Sequence, residues 1–140
     1  MKSRDPSARL PFSFHLNPET GVPVYRQLID QVHGALASGG LKPGEQLPTV
    51  RQLAVDLAIN PNTVTRAYRE MEIRGFLETQ QGTGTFIAEQ QTEKDSGVRK
   101  RQMEHLVTEF VARAGANGFT LNELEEALKK YAAREATRRR

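Results

Sequence analysis

Cysteine is absent from the 140-residue chain, so neither a disulfide framework nor a thiolate metal site can form, which suits a reducing cytoplasm. Long apolar runs are absent as well. No stretch approaches the roughly eighteen consecutive apolar residues of a spanning helix, so no membrane association is expected. The opening MKSRDP is slightly basic but no apolar run follows it, so a signal peptide is not expected. His15, His33 and His105 are the only histidines, and they lack paired carboxylates at ligand spacing. Structural or surface roles are expected for them rather than metal binding. No P-loop glycines and no serine nucleophile elbow occur. The expectation is a protein that is not an enzyme and needs no cofactor.

A strong charge of one sign is also missing. The net charge is +3, with nine Lys/Arg against eight Asp/Glu in residues 1–88 and eleven against nine in residues 89–140. Bulk charge therefore makes no case for nucleic acid, and any such case rests on local placement. What is present is 37% hydrophobic and 26% charged residues, enough for a real core in one ordinary domain or a small domain with an appendage.

Residues 1–21 form an N-terminal arm, rich in proline at Pro6, Pro11 and Pro18, in which residues 12–16 alternate like a short strand. From Val24 the period changes. Tyr25, Leu28, Ile29, Val32 and Leu36 share one face of a helix that Gly39 and Gly40 end. A turn-rich connector over residues 41–48 leads to a helix of about two turns, capped by Thr49 with Gln52 and burying Leu53, Ala54, Leu57 and Ala58. Asn60 caps a third helix, Pro61 takes its first position and Ile59 with Val64 staples its start. Its inward stripe is Val64, Ala67, Tyr68 and Met71, and Gly75 stops it. Residues 76–88 read as a β-hairpin turning at Gln81, Gly82, Thr83 and Gly84. Helix, short helix, turn, helix and hairpin is the order of a winged helix-turn-helix, expected over residues 22–89.

Residues 90–140 are expected to be a two-helix segment after a polar linker. Met103, Leu106, Val107, Phe110, Val111 and Ala114 line one helix, and Leu121, Leu124, Leu128 and Tyr131 the next, which opens with a Thr120/Glu123 capping box. The fold class is thus mainly α with a small β-hairpin. A two-helix core is thin. A second copy would cover Leu106, Phe110, Leu124, Leu128 and Tyr131, so a homodimer is expected; the competing reading folds the tail back onto its own winged domain.

A DNA major groove admits one helix whose exposed face meets base edges and phosphates. Asn62, Thr65, Arg66 and Arg69 offer amide, hydroxyl and guanidinium groups with no acid among them, and free N–H groups at the helix start would face phosphate. On an isolated helix Arg66 and Arg69 would be merely solvated, but the flanking short helix and hairpin favour DNA. Arg51 would lie where the second helix crosses the backbone, or else pairs with Asp56 or Glu45. The hairpin tip either enters a minor groove or is an ordinary turn.

Five blocks resemble the GntR family of bacterial regulators: PVYRQL (23–28), LKPGEQLPTVRQLA (41–54), NTVTRA (62–67), MEIRGFL (71–77) and GTGTF (82–86). They are spread over residues 23–86, nearly half the chain, in order and at family spacing. The resemblance implies an operator-binding dimer in the cytoplasm. Contacts to double-stranded DNA would come from Thr49 and Arg51, from Asn60, Asn62, Thr63, Thr65, Arg66 and Arg69, and from Gln81, Gly82 and Thr83. Pro61 departs from the basic or hydroxyl residue many members carry there, so the operator cannot be inherited. The short helical tail is similar to the YtrA subfamily, which implies repression, often of transporter genes, and leaves open release by a small-molecule effector. The alternative is a winged-helix module whose work is protein association.

Overall fold

A computed structural model describes residues 12–89 and 96–138 as two compact units, one within Leu10–Gln90 and one within Gln91–Arg140. In the first unit, α1 (Val24–Ser38), α2 (Val50–Leu57) and α3 (Pro61–Ile73) pack beside a three-stranded antiparallel sheet of β1 (Gln46–Leu47), β2 (Leu77–Gln80) and β3 (Gly84–Ile87) in the order β1-β3-β2. The core is built from the apolar stripes read from the periodicity, except that Ala58, expected to be buried on α2, lies just past its end and is exposed. Leu28 and Val32 of α1 meet Val64, Ala67 and Met71 of α3, with Leu53 of α2 and Ile87 of β3 closing the cluster. Each such large side chain contributes about 1.5–3 kcal/mol on leaving water, so the helical angles are set by these stripes.

The strand expected at residues 12–16 is not formed. The alternation is real: Phe14 is buried and Phe12 and Leu16 pack against the core, while Ser13 and His15 face outward. The backbone partners, however, are side chains. Gln31 of α1 accepts from the His15 N–H at 2.9 Å through Oε1, and its Nε2 donates to the His15 carbonyl. One turn earlier, Gln27 accepts from Asn17 N at 2.8 Å and donates to Asn17 O at 3.0 Å. Two amides at i and i+4 satisfy the extended segment as a neighbouring strand would. A 3-10 turn at Pro18–Thr20 then leads into α1. The arm expected over residues 1–9 lies outside the described residues, as does most of the linker before α4.

The expected hairpin is part of a larger sheet. β1 pairs with β3 through Gln46↔Phe86 and Leu47↔Thr85, while β2 pairs with β3 from Leu77↔Ile87 to Gln80↔Gly84. Two residues carry no readable alternation, which is why this strand reads as part of a connector.

The second unit comprises α4 (Ser96–Ala116) and α5 (Leu121–Arg138). The capping box at the start of α5 is reciprocal, Glu123 N donating to Thr120 Oγ1 at 3.2 Å and Thr120 N to Glu123 Oε2 at 3.0 Å. Among the described residues of this unit only Ala114 is buried; Phe110 and Leu128 are 55% and 64% exposed. No helix among the described residues is long and apolar enough to cross a membrane, and none of their acidic, cysteine and histidine side chains cluster as metal ligands.

Candidate nucleic-acid interface

Two helix starts and one turn carry the sequence-predicted contact residues. Thr49 caps α2, its Oγ1 accepting from Gln52 N at 3.1 Å. Asn60 caps α3, its Oδ1 accepting from Asn62 N at 2.8 Å, with Pro61 next in the first turn. Each cap uses an acceptor and keeps a donor, the Thr49 hydroxyl hydrogen and the Asn60 amide hydrogens, which is the polarity a phosphate requires.

The turn between the helices is tight. Ala58 adopts a left-handed conformation, φ 55° and ψ 47°, and its N–H reaches the carbonyls of Ala54 and Val55. Ile59 N then donates to Ala54 O at 3.0 Å. This 6→1 closure ends α2 at Leu57, with two residues left before the Asn60 cap, so the entry to α3 is fixed by backbone hydrogen bonds rather than by loop length.

Along α3 the inward stripe is buried as the periodicity requires. Asn62, Arg66 and Arg69 are exposed, Thr63 and Thr65 half-buried. Among the described residues no ion pair engages Arg51, Arg66 or Arg69. Arg51 therefore does not pair with Asp56 or Glu45. Arg66 has a partner of another kind, its guanidinium carbon standing 3.7 Å from the centroid of the Tyr25 ring of α1.

The free N–H groups expected at the start of α3 are already engaged. Pro61 has none, Asn62 N is bound by the Asn60 side chain, and Thr63 N donates to Asn60 O at 3.0 Å. The unengaged amides belong to α2, where Val50 and Arg51 N–H have no partner among the described residues. An anion approaching this face would find free backbone N–H groups and the Arg51 side chain at α2, but only side chains on α3.

The wing is tied to α3 along its β2 side. Phe76 N donates to Met71 O at 2.8 Å just beyond α3, and the Thr79 hydroxyl of β2 donates to the Glu72 carboxylate of α3. At the tip Gln81, Gly82 and Thr83 are exposed, and Thr83 N closes the turn onto Gln80 O at 3.0 Å. Gly82 holds φ 81°, which a side chain rarely tolerates. Sequence reading missed two residues that position this surface, Tyr25 beside Arg66 and Gln46 beside the wing tip. Tyr25 is legible only as part of an apolar stripe and Gln46 only as part of a turn.

Residues 24–87 match the model of the bacterial regulatory proteins of the gntR family. The chain is 36% identical over 118 residues to the HTH-type transcriptional repressor YtrA of Bacillus subtilis, a match spanning 84% of this chain and 91% of that one. Among solved structures it resembles a transcriptional antiterminator from Listeria monocytogenes, with TM-score 0.67 and 27% identity over 88% of this chain and 92% of that one. YtrA from Sulfolobus acidocaldarius, a GntR-family transcription factor, aligns with TM-score 0.50 and 27% identity over 86% of this chain and 97% of its own. With its capped helix pair, polar third-helix face and braced wing, the chain belongs to the GntR family as a YtrA-like DNA-binding transcription regulator.

Proposed function

We propose that the chain is a homodimeric, operator-specific repressor acting on DNA in the cytoplasm. The carrying observation is the exposed face of α3, where Asn62, Arg66 and Arg69 project with no carboxylate engaged among the described residues. In this reading Asn62, Thr65 and Arg66 meet base edges. Thr49, Arg51, Asn60, Thr63 and Arg69 hold phosphates, and Gln81, Gly82 and Thr83 approach the neighbouring minor groove. Repression is supported by the name of the B. subtilis relative.

Dimerisation is supported by the uncovered apolar side chains of α4 and α5. Leu106, Phe110, Leu128 and Tyr131 are exposed in the monomer and Leu124 is half-buried. A second copy removes this surface from water and sets two recognition helices on half-sites about one DNA turn apart.

Electrophoretic binding to DNA from upstream of its own coding region, at stated salt, tests the reading. Tight binding that weakens steeply as salt rises is expected. Arg66→Ala should lower affinity about tenfold or more, the cost of losing a good guanidinium contact. Leu124→Asp should weaken binding indirectly by splitting the dimer, visible by sedimentation. Equal binding by wild type and the Arg66 variant would sink the reading.

A further inference from the structure

The wing tip is held from outside the hairpin. Gln46 on β1 donates from Nε2 to the Thr83 carbonyl at 2.9 Å, across 37 residues of sequence. Gly84 makes room for it: a Cβ at that position would stand 2.5 Å from the Gln46 amide nitrogen. Gly84 also holds φ 132°, so the turn has a conformation and a clearance that both require glycine. Three residues beyond Gln46 the chain reaches Thr49, the cap of α2. Between them the Pro48 carbonyl accepts from the Tyr68 hydroxyl of α3 at 2.7 Å. A short backbone path therefore joins the recognition helix, the cap of α2 and the wing tip.

We infer that Gln46 is a positioning residue for DNA recognition, a latch that fixes the wing tip in register with α3 so that both reach one operator half-site together. This rests on the proposed DNA-binding reading and goes beyond it by naming what aligns the two contacts. Without the latch, the bonds that hold Thr83 among the described residues lie within its own turn, to the carbonyl and side chain of Gln80. The tip must then be ordered at the moment of binding, and that ordering subtracts from affinity. Gln46 is exposed and is not part of the hydrophobic core, so its replacement spares the core.

The test uses the full chain and a duplex selected from a random library by the wild-type protein. Gln46→Met keeps the side-chain length and removes the donor. Gly84→Ala drives the Gln46 amide off the Thr83 carbonyl from the other side. Each variant should bind about three- to tenfold more weakly, the usual cost of ordering one or two groups. Hydroxyl-radical protection beside the half-site should fade, while protection over the α3 contacts and the urea midpoint of Gln46→Met stay as in wild type. In a Gln46→Ala background Gly84→Ala should lose part of its effect, because the steric component has gone. Unchanged wing protection in Gln46→Met, or a uniform loss across the whole footprint, would overturn the latch. If the wild-type protein selects no duplex at all, the DNA-binding reading itself fails and takes the proposal with it. Amide exchange at Gly84, faster in Gln46→Met, then still reports whether the hydrogen bond orders the tip.

Discussion

Arg66 of α3 and Tyr25 of α1 form a cation–π pair, the guanidinium carbon 3.7 Å from the ring centroid. Such a contact at an exposed site stabilises by about 0.5–1 kcal/mol and, more usefully, restricts a long side chain before any ligand arrives. One face of the guanidinium is covered by the ring, and its N–H edges remain to meet an acceptor. Tyr25→Leu should therefore weaken operator binding by about two- to fivefold. Tyr25→Phe, which keeps the ring face, should bind like wild type. In an Arg66→Ala background the Tyr25→Leu effect should vanish. A double-mutant cycle by fluorescence anisotropy measures this coupling, and additive effects would show that the ring does not act through Arg66.

Ala58 is a non-glycine residue in the left-handed region, with φ 55° and ψ 47° at the turn of the helix-turn-helix. A Cβ there costs about 1–2 kcal/mol, against which glycine gives up about 0.5–1 kcal/mol of extra chain entropy on folding. The side chain is exposed, so nothing else is lost. Ala58→Gly should stabilise the protein by about 0.5–1 kcal/mol, raising the urea midpoint at unchanged slope. A lower midpoint would mean that the turn is not left-handed at this residue.

What could be read from sequence was local. The 3.6-residue stripes of α1 and α3 lie within one element each, and the caps Thr49, Asn60 and Thr120 sit three or fewer residues from the amides they bind. What escaped is set by residues far apart along the chain. The extended segment around Phe14 has its backbone bound by Gln27 and Gln31, and β1 exists only because β3 lies beside it. Tyr25 against Arg66 and Gln46 against Thr83 carry no local signature at all. One miss was avoidable. Pro61 after an Asn cap leaves few free amides at the start of α3, which follows from residue types alone.

The Tyr68 hydroxyl donates to the Pro48 carbonyl at 2.7 Å, and burial pushes its ionisation well above the ordinary tyrosine value. Because Pro48 precedes the Thr49 cap, this bond ties α3 to the entrance of α2. Tyr68→Phe leaves a part-buried carbonyl without its donor and should cost about 1–2 kcal/mol of stability, read as a fall in the urea midpoint. In spectrophotometric titration, one tyrosine fewer should resist ionisation in the variant. No change in either would place the hydroxyl in water rather than on Pro48.

His33 gives the fold a pH dependence of definite sign. Its ring packs 4.5 Å from the Phe76 ring, centroid to centroid, and its Nε2 is buried with no partner among the described residues. Desolvation holds its ionisation below the ordinary 6.5; Asp30 opposes that shift, and Arg74 and Arg26 reinforce it. As pH falls through about 6.5 the unfolded chain takes up this proton before the folded one does. The stability linked to neutral His33 is therefore complete above that pH and is lost progressively below it, until the folded form is protonated too. His33→Gln removes the titrating group. The drop in urea midpoint between pH 7.5 and pH 5 should be smaller in the variant than in wild type, whatever the variant's absolute stability. An equal drop in both would mean that the ring is hydrated and that its buried nitrogen carries no such penalty.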